Sequence, residues 1–208
     1  MDTLRSALFV LMLALVPAGP AAAQELESFG VIGGMSRTTM GGGFFDLVKD
    51  VGGTVNPRYG VALGGFASFN LAPSTSLRAE LLFAQNGVRI PTDGGLRERD
   101  IDVTYFDASG LVRRVFPLES VVPWVGAGPT LSFRGSVNGR VDGVEVDASD
   151  EVKGIDFGFA LEAGAGRDNI DVGVRYILGL TNISESSDPD EESKNRGLFL
   201  LVSYAFPR

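Results

Sequence analysis

Leu198, Leu200, Val202, Tyr204 and Phe206 occupy every second position of the stretch 198–206, and all five are apolar. A period of two puts them on one face of a β-strand, with two aromatic rings at one end. That pattern predicts a strand whose outer face meets hydrocarbon and whose rings lie at a membrane–water boundary. Lipid narrows the options sharply. A backbone in hydrocarbon must satisfy its own polar groups, so only helices and closed sheets cross. No run after residue 23 approaches the ~20 apolar residues of a transmembrane helix. If this chain enters a membrane, it does so as a closed sheet.

The front of the chain reads as an export signal. Arg5 precedes an apolar run, Ala7 to Val16, which is too short to span a bilayer; Pro17, Gly19 and Pro20 break it before Ala21-Ala22-Ala23. Cleavage before Gln24 is expected, making 1–23 a signal peptide and 24–208 one barrel domain. The other reading is an uncleaved anchor helix. The sequence has no cysteine, which excludes a lipid-modified cysteine and any disulfide. A net charge of -8 argues against nucleic acid as a partner. Glycine is 28 of 208 residues, about twice its usual ~7% share, without a collagen period.

Alternation and turn chemistry define eight candidate strands: Phe29 to Arg37, Arg58 to Leu71, Ser76 to Val88, Asp100 to Phe116, Val122 to Val137, Val152 to Gly166, Ile170 to Ile183 and Leu198 to Phe206. Short connections (72–75, 117–120, 167–169) alternate with longer polar or glycine-rich ones (41–57, 91–99, 139–151, 184–197). Outer-membrane barrels show this asymmetry, and some soluble barrels do too. The fold class expected is therefore all-β, an eight-stranded antiparallel up-and-down transmembrane barrel.

The faces carry more information than the spacing. In the seventh segment Ile170, Val172, Val174, Tyr176, Leu178 and Leu180 oppose Asp171, Gly173, Arg175, Ile177, Gly179 and Thr181. In the sixth, Ile155, Phe157, Phe159 and Leu161 oppose Asp156, Gly158, Ala160 and Glu162; in the third, Leu77, Ala79, Leu81 and Phe83 oppose Arg78, Glu80, Leu82 and Ala84. Each polar face mixes charge with very small residues. Glycine weakens an exposed strand without return, but a narrow barrel interior has room for little else. The fourth segment changes phase between Ile101, Val103, Tyr105 and Ala108, Gly110, Val112, which implies either a bulge near Ser109-Gly110 or a shifted boundary. Val141-Asp142-Gly143-Val144 carries a two-residue hairpin signal, so the fifth and sixth strands are expected to extend past the membrane as a hairpin arm.

Three further stretches carry a family likeness. Glu80-Leu-Leu-Phe-Ala-Gln85, Pro123-Trp-Val-Gly-Ala-Gly-Pro129 and Arg175-Tyr-Ile-Leu-Gly-Leu-Thr-Asn-Ile183, in this order and spacing, resemble the PorT-like outer-membrane β-barrel family. The resemblance implies an eight-stranded barrel in a bacterial outer membrane with both termini periplasmic, and implies little about activity. The chain departs from the family at Asp107-Ala108-Ser109, where members often carry a carboxylate-apolar-proline step. It departs again at Pro207-Arg208, which follow the last aromatic residue.

Arg78, Glu80, Asp107, Arg113, Glu162, Asp171 and Arg175 fall on lumen faces. Buried charges are costly unless paired, so these should interlock. A gated channel or proton path is one reading; a structural plug is the other, and mixed signs favour the plug because selective pores are more often lined by one sign. With neither histidine nor cysteine, Ser-His and Cys-His catalysis and zinc sites have no ligands or bases, so no catalytic residue, cofactor or metal is expected. Glu80 and Glu162 as an acid–base pair are the less favoured alternative to a structural pairing. The acidic loop 184–197 offers oxygens to calcium but lacks EF-hand spacing, and a solvated surface loop is the plainer reading. In the first long loop Phe44, Phe45, Leu47, Val48 and Val51 have helix-like spacing, which fits either an interaction patch or side chains folded over the barrel mouth.

These readings combine into a non-enzymatic outer-membrane barrel with a plugged lumen and a structural or surface-interaction role through its long loops. The alternative is a narrow or gated channel for small solutes, and a soluble lipocalin-like binder would need the two faces exchanged. Expected partners are outer-membrane lipids and, during assembly, the barrel-insertion machinery. A surface or periplasmic protein partner is not specified by the sequence.

Overall fold

Nine strands form one sheet in the computed structural model, which describes residues 25–41, 56–92, 97–141, 144–147, 154–181 and 194–207. They are β1 (Leu26–Gly41), β2 (Asn56–Ala72), β3 (Thr75–Thr92), β4 (Arg97–Val115), β5 (Val122–Val141), β6 (Val144–Asp147), β7 (Ile155–Arg167), β8 (Ile170–Gly179) and β9 (Lys194–Ala205). β1 pairs antiparallel with β9, from Gly30 opposite Ala205 to Gly41 opposite Lys194. With β4 also paired to β5, eight strands close into a ring, and β6 lies outside it on the end of β5. The fold class read from the alternation is the one observed. Closure leaves no barrel strand with an open edge, which is what hydrocarbon demands of a sheet.

At one rim the turns are tight. Ser74 and Asp168 adopt φ of 65° and 55°, in the left-handed region where short polar side chains are among the few tolerated. Pro73-Ser74 and Asp168-Asn169 thus reverse the chain in two residues. The wider turn after β4 is tied by Phe116 N–H donating to Pro123 O at 2.8 Å and Leu118 N–H donating to Val121 O at 3.1 Å.

Several boundaries differ from those read off the sequence. β3, β4 and β5 have 18, 19 and 20 residues, whereas β7, β8 and β9 have 13, 10 and 12. About 9–11 tilted residues cross a bilayer, so β3 to β5 overrun it and rise on the long-connection side. The glycine-rich or polar ends assigned to loops at 91–92 and 97–99 are paired strand, Pro91 opposite Glu98 and Thr92 opposite Arg97. β8 ends at Gly179, short of Ile183. The expected hairpin arm is instead a three-stranded one: β5 pairs β6 through Val141 and Val144, and its other edge pairs β4 up to Arg99. The hairpin signal was local, and it could not reveal that β4 was long enough to accompany β5.

No bulge occurs at Ser109-Gly110. β3 and β4 stay in register from Thr75–Arg114 to Thr92–Arg97, and the irregularity lies between Val103 and Tyr105 in the β4–β5 pairing. Tyr105 is fully buried, in phase with buried Asp107, Ser109, Leu111 and Arg113. A tyrosine resembles a membrane-belt residue in a sequence; here its hydroxyl instead accepts a hydrogen bond from Asn195 Nδ2 at 3.2 Å.

Elsewhere the two faces follow the alternation. Leu81, Leu161, Val174, Leu200 and Val202 point outward and are exposed, as are Tyr204 and Phe206, whose rings pack 5.9 Å apart beside Phe29. Ile32, Ala62, Phe66, Leu82, Ala84, Phe199 and Leu201 form an apolar cluster contributed by β1, β2, β3 and β9. The charges abut it, with Glu80 opposite Phe66 and Arg175 opposite Phe199.

Candidate functional site

One row of paired residues organises the charges of the lumen. Arg113 on β4 lies opposite Gly126 on β5, Gly126 opposite Glu162 on β7, and Glu162 opposite Arg175 on β8. Because Gly126 has no side chain, Arg113 reaches across β5, and its Nε donates to Glu162 Oε1 at 2.6 Å. A Cβ at Gly126 would come within 2.6 Å of that same carboxylate oxygen. Here the absent side chain makes room for an ion pair.

Arg175 completes the arrangement. Its Nε and Nη2 both donate to Glu162 Oε2, at 3.1 and 2.7 Å, and Nη2 lies 2.6 Å from Glu80 Oε2. Glu80 also accepts from Arg78 Nε at 2.6 Å, two residues along β3. Asp171, at the short-turn rim, stands 3.6 Å from Arg113 Nη1 and 3.8 Å from Arg78 Nη1. Three arginines thus face three carboxylates. The side chains of Glu80 and Glu162 are 0% and 1% exposed, those of Arg78 and Arg175 2%. Ions so far from water persist only with such dense pairing.

Aromatic rings take up the remaining faces of two guanidiniums. The Arg78 Cζ lies 3.5 Å from the Phe66 ring centre and the Arg113 Cζ 3.9 Å from that of Trp124. Trp124 is itself seated by glycines, since a Cβ at Gly164 or Gly173 would lie 2.5 Å from its ring. A cavity of about 10 Å³, room for one water, lies among Arg113, Trp124, Glu162, Asp171, Arg175 and Ser203.

Of the seven lumen charges singled out in the sequence, this cluster contains Arg78, Glu80, Arg113, Glu162, Asp171 and Arg175. Asp107 is buried away from it, opposite Ser132, with its Oδ1 lacking a hydrogen-bond partner among the described residues. Sequence reasoning passed over Asp156, Tyr105, Trp124 and Phe66. For Asp156 the signal was present, as it shares the inward phase of Glu162. Nothing in a single sequence marks Phe66 or Trp124 as guanidinium supports. The stretch Phe44, Phe45, Leu47, Val48 and Val51, and most of the acidic loop 184–197, lie outside the described residues. Among the described residues no group of three or more acidic side chains is arranged to hold a metal ion.

A second buried polar pair lies between β4 and β5, where the Ser109 and Thr130 hydroxyls are 3.0 Å apart. Ser109→Ala leaves the buried Thr130 hydroxyl without this partner and is expected to lower stability by about 1–3 kcal/mol in urea unfolding from lipid vesicles.

Solved structures similar to this chain include Neisserial surface protein A, at 14% identity over 88% of this chain and 99% of that one, TM-score 0.51. Pseudomonas aeruginosa OprG gives 14% identity over 87% and 94%, TM-score 0.46. Ail of Yersinia pestis, crystallised with the heparin analogue sucrose octasulfate, gives 13% over 86% and 98%, TM-score 0.45. At 14% identity, the likeness to Neisserial surface protein A speaks to fold alone. No curated protein matches the chain. The sequence-family comparison agrees with a barrel fold: the outer membrane protein beta-barrel domain matches residues 8–206, and the chain belongs to that family.

Proposed function

We propose that this protein is a non-enzymatic outer-membrane barrel whose lumen is closed by its charge cluster, and that its role is structural or one of surface interaction through the long connections. The observation that carries the reading is the Arg175–Glu80 pair. β3 and β8 stand four strands apart in either direction round the ring, so this 2.6 Å contact bridges opposite walls of the barrel. A cross-bar of opposite charges, with Glu162 and Arg113 beside it, occludes the cross-section an ion would need. Phe66, Leu82, Phe199 and Leu201 pack beside it as an apolar cluster.

Within the same proposal, residues 1–23 direct export and are removed, and the long connections face the cell exterior, since outer-membrane barrels keep their short turns periplasmic. The three stretches from Glu80, Pro123 and Arg175 favour the PorT-like branch of the family. Surrounding lipids and the barrel-insertion machinery are the partners this reading requires.

Planar-bilayer recording of the refolded protein tests it. The expected result is a silent membrane. Discrete conductance steps would overturn the plug and establish a narrow channel instead.

A further inference from the structure

The connection from β8 to β9 carries a dense run of acids, Glu185, Asp188, Asp190, Glu191 and Glu192. Its two roots, Thr181 and Asn195, meet at one carboxylate. Thr181 Oγ1 donates to Asp156 Oδ1 at 2.5 Å, and Asn195 Nδ2 donates to Asp156 Oδ2 at 2.9 Å. The two oxygens of a single side chain therefore hold the exit from β8 and the entry to β9. Each root is fixed again. Thr181 Oγ1 accepts from Phe157 N–H at 2.9 Å, and the Leu180 and Thr181 amides donate to Phe157 O at 2.7 and 3.3 Å. Asn195 Nδ2 also reaches the hydroxyl of fully buried Tyr105 across the barrel mouth.

We infer that Asp156 is a positioning residue: a two-sided clamp that sets where the acidic connection leaves and re-enters the barrel. The chemistry requires an acid at this place. Both partners donate hydrogens, and only a carboxylate offers two acceptor oxygens with no donor of its own. Asparagine would present an N–H toward one root and leave that root's donor without an acceptor. The clamp is separate from the Arg175 cluster, because no ion pair joins Asp156 to that cluster among the described residues. It therefore holds whether or not the lumen conducts.

Amide hydrogen exchange of the refolded full-length protein, read by mass spectrometry, tests the assignment. Asp156→Ala should speed exchange at Phe157, Leu180, Thr181 and the start of β9 by tenfold or more, while β3 and β4 around Arg78, Glu80 and Ser109 stay protected. Thr181→Val should loosen the β8 root alone, and Asn195→Leu the β9 root alone. Unchanged exchange at both roots in Asp156→Ala overturns the clamp. A uniform rise across all strands overturns it as well, because Asp156 would then serve only general stability. Failure of either single variant to loosen its own root also counts against it.

Discussion

Arg175→Leu is expected to lower the free energy of unfolding by about 3–5 kcal/mol, the usual cost of breaking a buried ion pair from one side. Leucine keeps the volume of the stem but strands Glu80 and Glu162 together. Both carboxylates are almost wholly buried, and both form an ion pair with the Arg175 Nη2 group. Arg78 and Arg113 still hold one oxygen of each, at 2.6 Å, but the second oxygens lose their charged partner. Arg167→Leu is the control. The Arg167–Asp168 pair spans 3.8 Å with side chains 75% and 89% exposed, so its loss should cost less than ~1 kcal/mol. Urea titration of both variants in lipid vesicles makes the comparison, and equal losses would remove the basis for a plug.

The second large effect tests orientation. Val174→Arg should cost about 2–4 kcal/mol, the penalty for a charge on the mid-membrane lipid face of a barrel. Val174 is exposed between Gly173 and Arg175, both of which point inward. Gly173→Arg should prevent folding altogether, because the new side chain must pass through the Trp124 ring, only 2.5 Å from its Cβ. The heat-dependent shift of folded barrels on electrophoresis reads out the second variant, urea titration the first. A silent Val174→Arg would mean that this face does not meet lipid.

Much of this arrangement was legible because period-two alternation is a local property. In β7, β8 and β9 each outward residue was identifiable from its neighbours alone, and so were Glu162, Asp171 and Arg175 as inward ones. Strand ends were less legible, since Pro91, Thr92 and Arg97 to Arg99 form strand only by pairing with one another, a fact of register that composition hides. The phase of the fourth strand was illegible for a related reason. Tyr105 reads in phase with Ile101 and Val103, and only the irregularity between Val103 and Tyr105 in the pairing with β5, together with the burial of Tyr105, marks where the strand adjusts.

By itself the sequence pointed to a closed sheet as the way into a membrane, to the outward residues of the third, sixth, seventh and last segments, and to charges of both signs in the interior. Ring closure decided the rest. It set β3 opposite β8, so that Glu80 meets Arg175 although 95 positions separate them in the chain. It also left a gap over Gly126 for Arg113 to cross, and brought Thr181 and Asn195 to one carboxylate. Alternation specifies the direction of each side chain from its own strand. The partner it finds across a lumen depends on strand number and stagger, which are properties of the whole barrel.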